Sequence, residues 1–204
     1  MVIVLMGAAG PGKTTVGRQL SEELRWRFLD GDEVHPLENI TKMGRGTPLT
    51  DEDRRPWIQA LRRSIAEWLE QEMNAVLTCS LLTHAHRVAV LAGYEPHVKL
   101  AYLQASRALL RQRLTARTGH FAGVALLESQ LALLEEPSDA LLLDASRPPE
   151  QLVQTIRAAS VYDSPLYSPG LAVVFVASLT GGSILICGPS TFGSSPAPGF
   201  SRTR

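Results

Sequence analysis

Apolar positions up to residue 161 follow two alternating patterns. Short, nearly continuous apolar runs are typical of strands buried in a parallel sheet, and they occur at residues 2–6, 27–29, 75–79, 98–103 and 140–143. Between these runs, apolar residues recur every three or four positions, which predicts helices at residues 13–24, 55–71, 106–117 and 148–159. This alternation predicts an α/β fold in which helices cover both faces of a five-stranded parallel sheet, giving three layers.

The pattern stops near residue 161, where the composition also changes. The chain has 204 residues with 20 basic and 20 acidic side chains, but only Asp163, Arg202 and Arg204 carry charge after residue 161. That segment is rich in Ser, Pro and Gly and lacks the apolar periodicity of a folded core. We therefore divide the chain into a domain, residues 1–161, and an irregular tail, residues 162–204, of unknown role.

An uncharged stretch, residues 171–187, interrupts the tail. It is at the lower limit of length for crossing a bilayer, and it contains glycines and hydroxyl residues. A flexible or packed extension is favoured over a membrane anchor. A pair of strands turning at Gly181-Gly182 fits the same residues.

Charge balance and cysteine content limit the classes of protein to which this chain can belong. A formal net charge of zero argues against a nucleic-acid-binding protein, which normally carries a basic excess. Cys79 and Cys187 are too few for a disulfide scaffold and suit a reducing compartment. Residues 1–7 lack a basic start and reach a glycine too early for a secretory signal. We therefore expect a cytoplasmic protein.

The clearest chemical motif is Gly7-Ala8-Ala9-Gly10-Pro11-Gly12-Lys13-Thr14, which matches the pattern G-x-x-x-x-G-K-[ST]. It follows a predicted strand and opens a predicted helix, as a phosphate-binding loop requires. The loop and Thr15 are expected to bind ATP, with Lys13 on the β- and γ-phosphates and the Thr14 hydroxyl on Mg²⁺. The alternative is a glycine-rich turn with no nucleotide.

Two carboxylates, Asp30 and Asp32, follow the second predicted strand. Ligands of such sheets bind beyond the carboxyl ends of the strands, so these groups should face the phosphate loop. One carboxylate can then hold Mg²⁺ while the other accepts the proton of an attacking hydroxyl. A solvated acidic turn is the alternative.

A series of short motifs continues in unbroken order from the acidic turn onward. They are Asp30-Gly31-Asp32, His35-Pro36, Asn39, Lys42-Met43, Gly46, Pro48-Leu49, Asp51, Asp53-Arg54, Pro56-Trp57, Cys79-Ser80, Gly119-His120-Phe121, Leu127-x-Ser129-Gln130 and Leu134-Glu135-x-Pro137. Together they resemble the thermoresistant-type gluconokinases, which belong to the shikimate-kinase-like branch of P-loop small-molecule kinases. The resemblance covers residues 1 to about 160, and the tail has no counterpart.

The resemblance implies a P-loop NTPase fold and phosphorylation of D-gluconate on its 6-hydroxyl by MgATP. The product would be 6-phosphogluconate, which feeds the pentose phosphate pathway. It also implies that Lys13, Asp32 and Arg117 act in catalysis and that Asp30 lies on the metal side. Substrate contacts are expected from Asp32, His35, Arg54, Ser80, Arg87, His120 and Gln130.

Arg54 is the expected anchor of the gluconate carboxylate, because a guanidinium binds a carboxylate through two hydrogen bonds. Arg113 and Arg117 would belong to a lid over ATP, residues 113–125. The alternatives are an exposed charge at a helix start for Arg54, a surface histidine for His35 and a solvated basic face for the two lid arginines. Homodimers are common in the resembled family, but no interface can be identified from the sequence.

The chain departs from the family pattern after Ser80. Where the family typically has Ala-Leu-Lys and then Tyr-Arg-Asp, this chain has Leu81-Leu82-Thr83 and then His86-Arg87-Val88. Loss of an ammonium at Thr83 would remove a charged hydrogen bond worth about 1.5–3 kcal/mol. Two alternatives follow: a related kinase with an altered acceptor, or a nucleotide- or sugar-acid-binding protein with little catalysis.

Overall fold

The computed structural model describes the backbone of residues 1–116 and 121–162, and the side chains of residues 1–116 and 126–159. The described residues belong to one compact unit, Met1–Asp163. The predicted tail lies outside the described residues after Tyr162, as do residues 117–120 of the predicted lid. The division into domain, lid and tail therefore stays a prediction.

The described residues form five strands and seven helices. The strands are β1 (Val2–Met6), β2 (Arg27–Asp30), β3 (Ala75–Cys79), β4 (Val98–Gln104) and β5 (Leu141–Asp144). The helices are α1 (Lys13–Leu24), α2 (Leu37–Gly44), α3 (Asp51–Glu70), α4 (His84–Leu91), α5 (Arg107–Thr115), α6 (Phe121–Leu133) and α7 (Pro149–Tyr162), with a 3₁₀ turn at Gly31–Val34. Among these helices, none is both long and apolar enough to span a membrane.

All five strands are parallel and lie in the order β2-β3-β1-β4-β5. The central strand β1 pairs with β3 on one side and β4 on the other, so that Val2 lies opposite both Ala75 and Val98. The carboxyl end of β1 leads directly into the glycine-rich loop. The predicted α/β fold with a five-stranded parallel sheet is confirmed.

Alternate residues of β1 serve opposite faces of the sheet, because successive side chains of a strand point in opposite directions. Ile3 and Leu5 pack in a cluster with residues of α1 and α7, whereas Val2 and Val4 pack with residues of α3 and α4. All four side chains are almost completely buried. Burial on both faces explains the continuous apolar runs of the strands and confirms the predicted three layers.

Helix α3 begins at Asp51, four residues before its predicted start, because its cap lies at Thr50. The Thr50 hydroxyl accepts a hydrogen bond from the Asp53 N–H at 3.2 Å, and the Asp53 carboxylate accepts one from the Thr50 N–H at 3.0 Å. Together these two hydrogen bonds form a capping box. It fixes the first turn of α3, which carries Arg54.

Thr50→Ala should lower the free energy of unfolding by about 1 kcal/mol, because it leaves an N–H of the first turn of α3 without its side-chain partner. The measurement is urea denaturation of the full chain, with exposed Thr47→Ala as the matched control. Equal destabilisation by the two variants would show that the capping box contributes nothing specific.

Candidate active site

The loop between β1 and α1 has the backbone of a phosphate cradle. Gly12 has φ of +101° and forms the N-cap of α1 without any side-chain cap, so no side chain caps the first N–H groups of that helix. Gly7 has φ of +148°, and a Cβ atom there would lie 2.9 Å from the Leu103 carbonyl oxygen. Both positions therefore require glycine. Uncapped N–H groups at a helix start form a ready site for an anion.

Three side chains hold this loop from different directions. The Lys13 Nζ donates to the Ala8 carbonyl at 2.7 Å. Gln130 of α6 accepts from the Ala9 N–H at 2.7 Å, and Arg113 of α5 donates to the Pro11 carbonyl at 3.0 Å. Arg113 thus contacts the loop, and its predicted contact with ATP stays a prediction. Gln130 also contacts the loop, so its predicted contact with the acceptor stays a prediction.

A cavity of about 280 Å³ adjoins the phosphate loop. Its walls come from the loop, the end of α5 and the segment after β5: Gly10, Pro11, Gly12, Thr15, Val16, Arg113, Ala116, Ala145, Arg147, Pro149 and Leu152. Sequence reasoning missed Arg147, although it follows the carboxyl end of β5, where ligands of such sheets bind. A larger cavity of about 530 Å³ lies between α4, the start of β4 and α7, and it includes no phosphate-loop residue.

Thr14 and Asp30 meet at the start of α1 and the end of β2. The Thr14 hydroxyl donates to Asp30 Oδ2 at 2.7 Å, and Asp30 Oδ1 accepts from the Asp32 N–H at 3.2 Å. Within the described part of the chain, no group of three His, Cys, Asp or Glu side chains could hold a metal. One hydroxyl and one carboxylate nevertheless suit Mg²⁺, which usually keeps waters and binds substrate phosphates as well.

Asp32 lies next to Asp30, and the charges of Lys13 and Asp30 act on its carboxyl group. Burial of the carboxyl raises the pKa of Asp32 above 3.8, the Lys13 ammonium lowers it, and the Asp30 carboxylate raises it. The Asp32 residue as a whole is exposed to solvent. The Lys13 ammonium therefore acts on the Asp32 carboxyl, and the catalytic roles of the two groups stay predictions.

Arg54 is a buried cation in the first turn of α3. The residue is 9% exposed, and its Nη2 donates one long hydrogen bond, 3.4 Å, to the Leu49 carbonyl. Among the described residues Arg54 forms no ion pair within 4 Å, although Asp51 and Asp53 raise the pKa that burial lowers. A guanidinium stays charged under these conditions. A buried cation without an ion-pair partner is a strong candidate site for an anionic ligand.

His35 and Trp57 form a rigid wall beside Arg54. Their rings stack with centroids 4.6 Å apart and an interplanar angle of 5°, and Trp57 Nε1 donates to the Gly31 carbonyl at 2.7 Å. Burial first, and the Arg54 charge second, lower the pKa of His35 to about 4, so its imidazole is neutral at pH 7. Asn39 Nδ2 lies 3.4 Å from His35 Nδ1 and donates to the Asp53 carbonyl at 2.7 Å.

Comparison with known proteins identifies the family of the chain. Residues 2–137 match the model of a family described as an AAA domain. The chain is 42% identical to the gluconokinase of Gluconobacter oxydans (strain 621H) over 137 residues, covering 67% of this chain and 76% of that protein. It is 36% identical to the thermoresistant gluconokinase of Escherichia coli K12, covering 74% and 89% of the two chains.

The chain belongs to the gluconokinase family. The crystal structure of a gluconokinase from Sinorhizobium meliloti 1021 superimposes with a TM-score of 0.68 at 34% identity, covering 79% of this chain and 95% of that one. The predicted resemblance and P-loop kinase fold are therefore confirmed.

Two predicted substrate residues of this gluconokinase-family chain, Ser80 and Arg87, lie at or near the end of β3. Ser80 follows the last residue of β3 directly. Arg87 Nη1 donates to three backbone carbonyls, of Leu81, Leu82 and Glu135, and so joins α4 to the segment after α6. These contacts give Arg87 a structural role, and its contact with substrate stays a prediction. Arg117 and His120 lie outside the described residues.

Two of the positions that depart from the family pattern, Thr83 and His86, lie at the start of α4. Thr83 is the N-cap, and its hydroxyl accepts from the His86 N–H at 3.1 Å. The His86 residue is 8% exposed, and its Nε2 lies 3.6 Å from Asp51 Oδ1 on α3. The first turns of α3 and α4 are therefore neighbours, and His86 lies beside the carboxylate that precedes Arg54 by one turn.

Proposed function

We propose that this protein transfers the γ-phosphoryl group of ATP to the 6-hydroxyl of D-gluconate, giving 6-phospho-D-gluconate and ADP. The observation that carries the proposal is the pairing of a phosphate loop with a buried cation that has no ion pair among the described residues. The Lys13 ammonium acts on the Asp32 carboxyl, and Arg54 would provide the anion site for the acceptor. Membership of the gluconokinase family supports gluconate as the acceptor.

ATP would place its phosphates against the loop N–H groups and the start of α1. The Lys13 ammonium would exchange its hydrogen bond to the Ala8 carbonyl for bonds to the β- and γ-phosphates. The cavity of about 280 Å³ beside the loop would take the nucleoside part, with Arg113 and Arg147 among its walls. Arg113 would then lie between the nucleoside and the phosphates.

Mg²⁺ would be held by the Thr14 hydroxyl and, directly or through water, by the Asp30 carboxylate, together with ATP phosphate oxygens. When bound, the ion neutralises negative charge on the β- and γ-phosphates. The 2.7 Å hydrogen bond from the Thr14 hydroxyl to the Asp30 carboxylate holds these two metal-ligand candidates together at the amino end of α1.

Gluconate would bind with its carboxylate on Arg54 and its 6-hydroxyl near Asp32. The hydroxyl oxygen forms a bond to the γ-phosphorus while the bond from that phosphorus to the bridging oxygen breaks and ADP leaves. The hydroxyl proton passes to the Asp32 carboxylate. The stacked His35 and Trp57 rings would fix the position of the acceptor along this path.

The test is a coupled ADP-release assay on the full chain with MgATP and one acceptor at a time. We expect turnover with D-gluconate, formation of 6-phospho-D-gluconate detected by phosphorus NMR, and ADP release near background with shikimate or a nucleoside monophosphate. Turnover with either of those acceptors but not with gluconate would replace the proposal with a sibling kinase. Tight gluconate binding without turnover would replace it with a binding protein.

Arg54→Ala should raise KM for gluconate about 10- to 100-fold, because a charged hydrogen-bonding partner of the carboxylate is lost. KM for ATP should change little, since the nucleotide binds at the loop. Arg55→Ala, an exposed neighbour on the same helix, is the matched control and should leave both constants unchanged. Equal effects of the two variants on gluconate KM would remove Arg54 from the acceptor site.

We further propose that the protein is cytoplasmic and serves sugar-acid catabolism that feeds the pentose phosphate pathway, with a small-molecule substrate and no nucleic-acid or membrane partner. Its two cysteines and zero formal charge support these assignments. A homodimer stays a prediction, which light scattering on the full chain would test.

A further inference from the structure

His86 contains a polar atom that the described residues leave without a hydrogen bond. Its Nδ1 is buried and has no partner among the side chains and backbone groups of residues 1–116 and 126–159. Leaving such a buried group unsatisfied costs about 1–3 kcal/mol, so buried polar atoms are nearly always paired. Nδ1 of His86 is therefore an acceptor that a hydroxyl of a bound ligand could pair.

The surroundings of His86 fix its protonation state. Burial and the Arg54 charge lower the pKa of His86, while the Asp51 and Glu135 carboxylates oppose them more weakly, so the imidazole is neutral at pH 7. A neutral imidazole carries one proton, and the Asp51 carboxylate, which can only accept, lies 3.6 Å from Nε2. We assign this proton to Nε2, the nitrogen nearer the carboxylate, which leaves Nδ1 as a hydrogen-bond acceptor.

The position of His86 connects it with the acceptor site. His86 lies beside the first turn of α3, which carries Arg54, because its Nε2 is 3.6 Å from Asp51 Oδ1. The Arg54 charge also lowers the pKa of both His35 and His86. A polyhydroxy acid whose carboxylate binds Arg54 offers several hydroxyl hydrogens at short distances from that carboxylate. These are the donors that an imidazole acceptor beside Arg54 can use.

We infer that His86 is a specificity-determining residue of the acceptor site, where its Nδ1 accepts a hydrogen bond from a hydroxyl of the bound sugar acid. The inference rests on the proposed function. Because Nδ1 is buried without ligand, acceptor binding must be accompanied by a small rotation of the ring or a separation of the first turns of α3 and α4.

Two amide substitutions distinguish the contributions of Nδ1 and Nε2 of His86 to gluconate binding. In His86→Asn the side-chain amide occupies the place of Nδ1, and in His86→Gln it extends to the place of Nε2, while both lose the ring. We expect KM for gluconate to be about three- to tenfold higher in His86→Gln than in His86→Asn. KM for ATP should differ by less than about twofold between the two variants, and so should kcat. His84→Asn, an exposed histidine on the same helix, is the matched control and should equal the wild type.

The unmodified protein provides a second measurement, in case either variant folds poorly. Histidine ring ¹⁵N spectra of the full chain report the tautomer and the hydrogen bonding of each nitrogen, and the signals missing from a His86 variant identify this residue. We expect an Nε2–H tautomer, and an upfield shift of Nδ1 when gluconate is added. Shikimate, which is the non-substrate control, should produce no such shift.

The outcomes separate this inference from the proposed function. Turnover of gluconate by the wild type with an unchanged His86 Nδ1 signal, or with equal gluconate KM in the two amide variants, overturns the inference alone. A higher KM in His86→Asn than in His86→Gln also overturns it, because the contact would then be at Nε2. Absence of gluconate turnover in the wild type removes the proposed function, and the inference with it.

Discussion

Lys13→Ala should lower kcat for gluconate phosphorylation by about 10²- to 10³-fold, which corresponds to about 3–4 kcal/mol of transition-state stabilisation. The reason is positional. Negative charge spreads over the transferring phosphoryl group, and in the proposed function the Lys13 ammonium is the cation that contacts that group. Its 2.7 Å hydrogen bond to the Ala8 carbonyl shows that the side chain folds back over the loop and does not extend into solvent.

The measurement is the coupled ADP-release assay at saturating gluconate, accompanied by nucleotide binding in a calorimeter. Lys99→Ala is the matched control, because Lys99 lies near the amino end of β4, opposite Ile3 of β1 and away from the carboxyl edge of the sheet. The control should retain full activity. A Lys13→Ala protein that keeps most of its turnover would show that the loop is not the phosphoryl-transfer site.

The fold could be predicted from the sequence because its strands are buried on both faces. Strands β1 and β3 and helix α1 have the bounds predicted from apolar runs and periodicity. Three helices, α2, α4 and α6, were not predicted, for two different physical reasons. Helices α2 and α4 have only eight residues each, too few for a clear period. Helix α6 has apolar residues on most of its surface, so no single face identifies it.

The candidate site could be predicted only where local sequence determines it. The phosphate loop is one contiguous segment that begins and ends with glycines of positive φ, and Thr14 and Asp30 meet because two strand ends share one edge. The contact of Gln130 with the Ala9 N–H joins positions 121 residues apart, and no spacing rule predicts such a contact. The hydrogen bonds that Arg87 donates to three backbone carbonyls likewise result from tertiary packing.

Residue type alone could not show whether Arg54 binds an anion. In the sequence, Arg54 could equally be an exposed charge at a helix start. The capping box turns the first residues of α3 so that Arg54 is buried while its neighbour Arg55 is exposed. Burial without an ion pair among the described residues is what makes Arg54 a candidate anion site. The Arg54 charge acts on two further imidazoles, because it lowers the pKa of both His35 and His86.

Asp32→Asn should lower kcat by about 10²- to 10⁴-fold, because an amide can position the acceptor hydroxyl but cannot take its proton. KM for gluconate should rise much less, since the carboxylate anchor on Arg54 is retained. The matched control is Glu33→Gln, which removes the adjacent exposed carboxylate, 3.6 Å from Arg18. That variant should retain wild-type kcat.

The pH profile gives an independent check on the role of Asp32. The base acts in its deprotonated form, so kcat/KM falls as the pH drops through the pKa of Asp32. Burial raises that pKa above the ordinary 3.8, and the Asp30 carboxylate adds to the increase while Lys13 opposes it. The acid limb of wild-type kcat/KM should therefore lie above pH 3.8 and be absent from the residual activity of Asp32→Asn. The same acid limb in both proteins would assign the titration, and the proton acceptor, to another group.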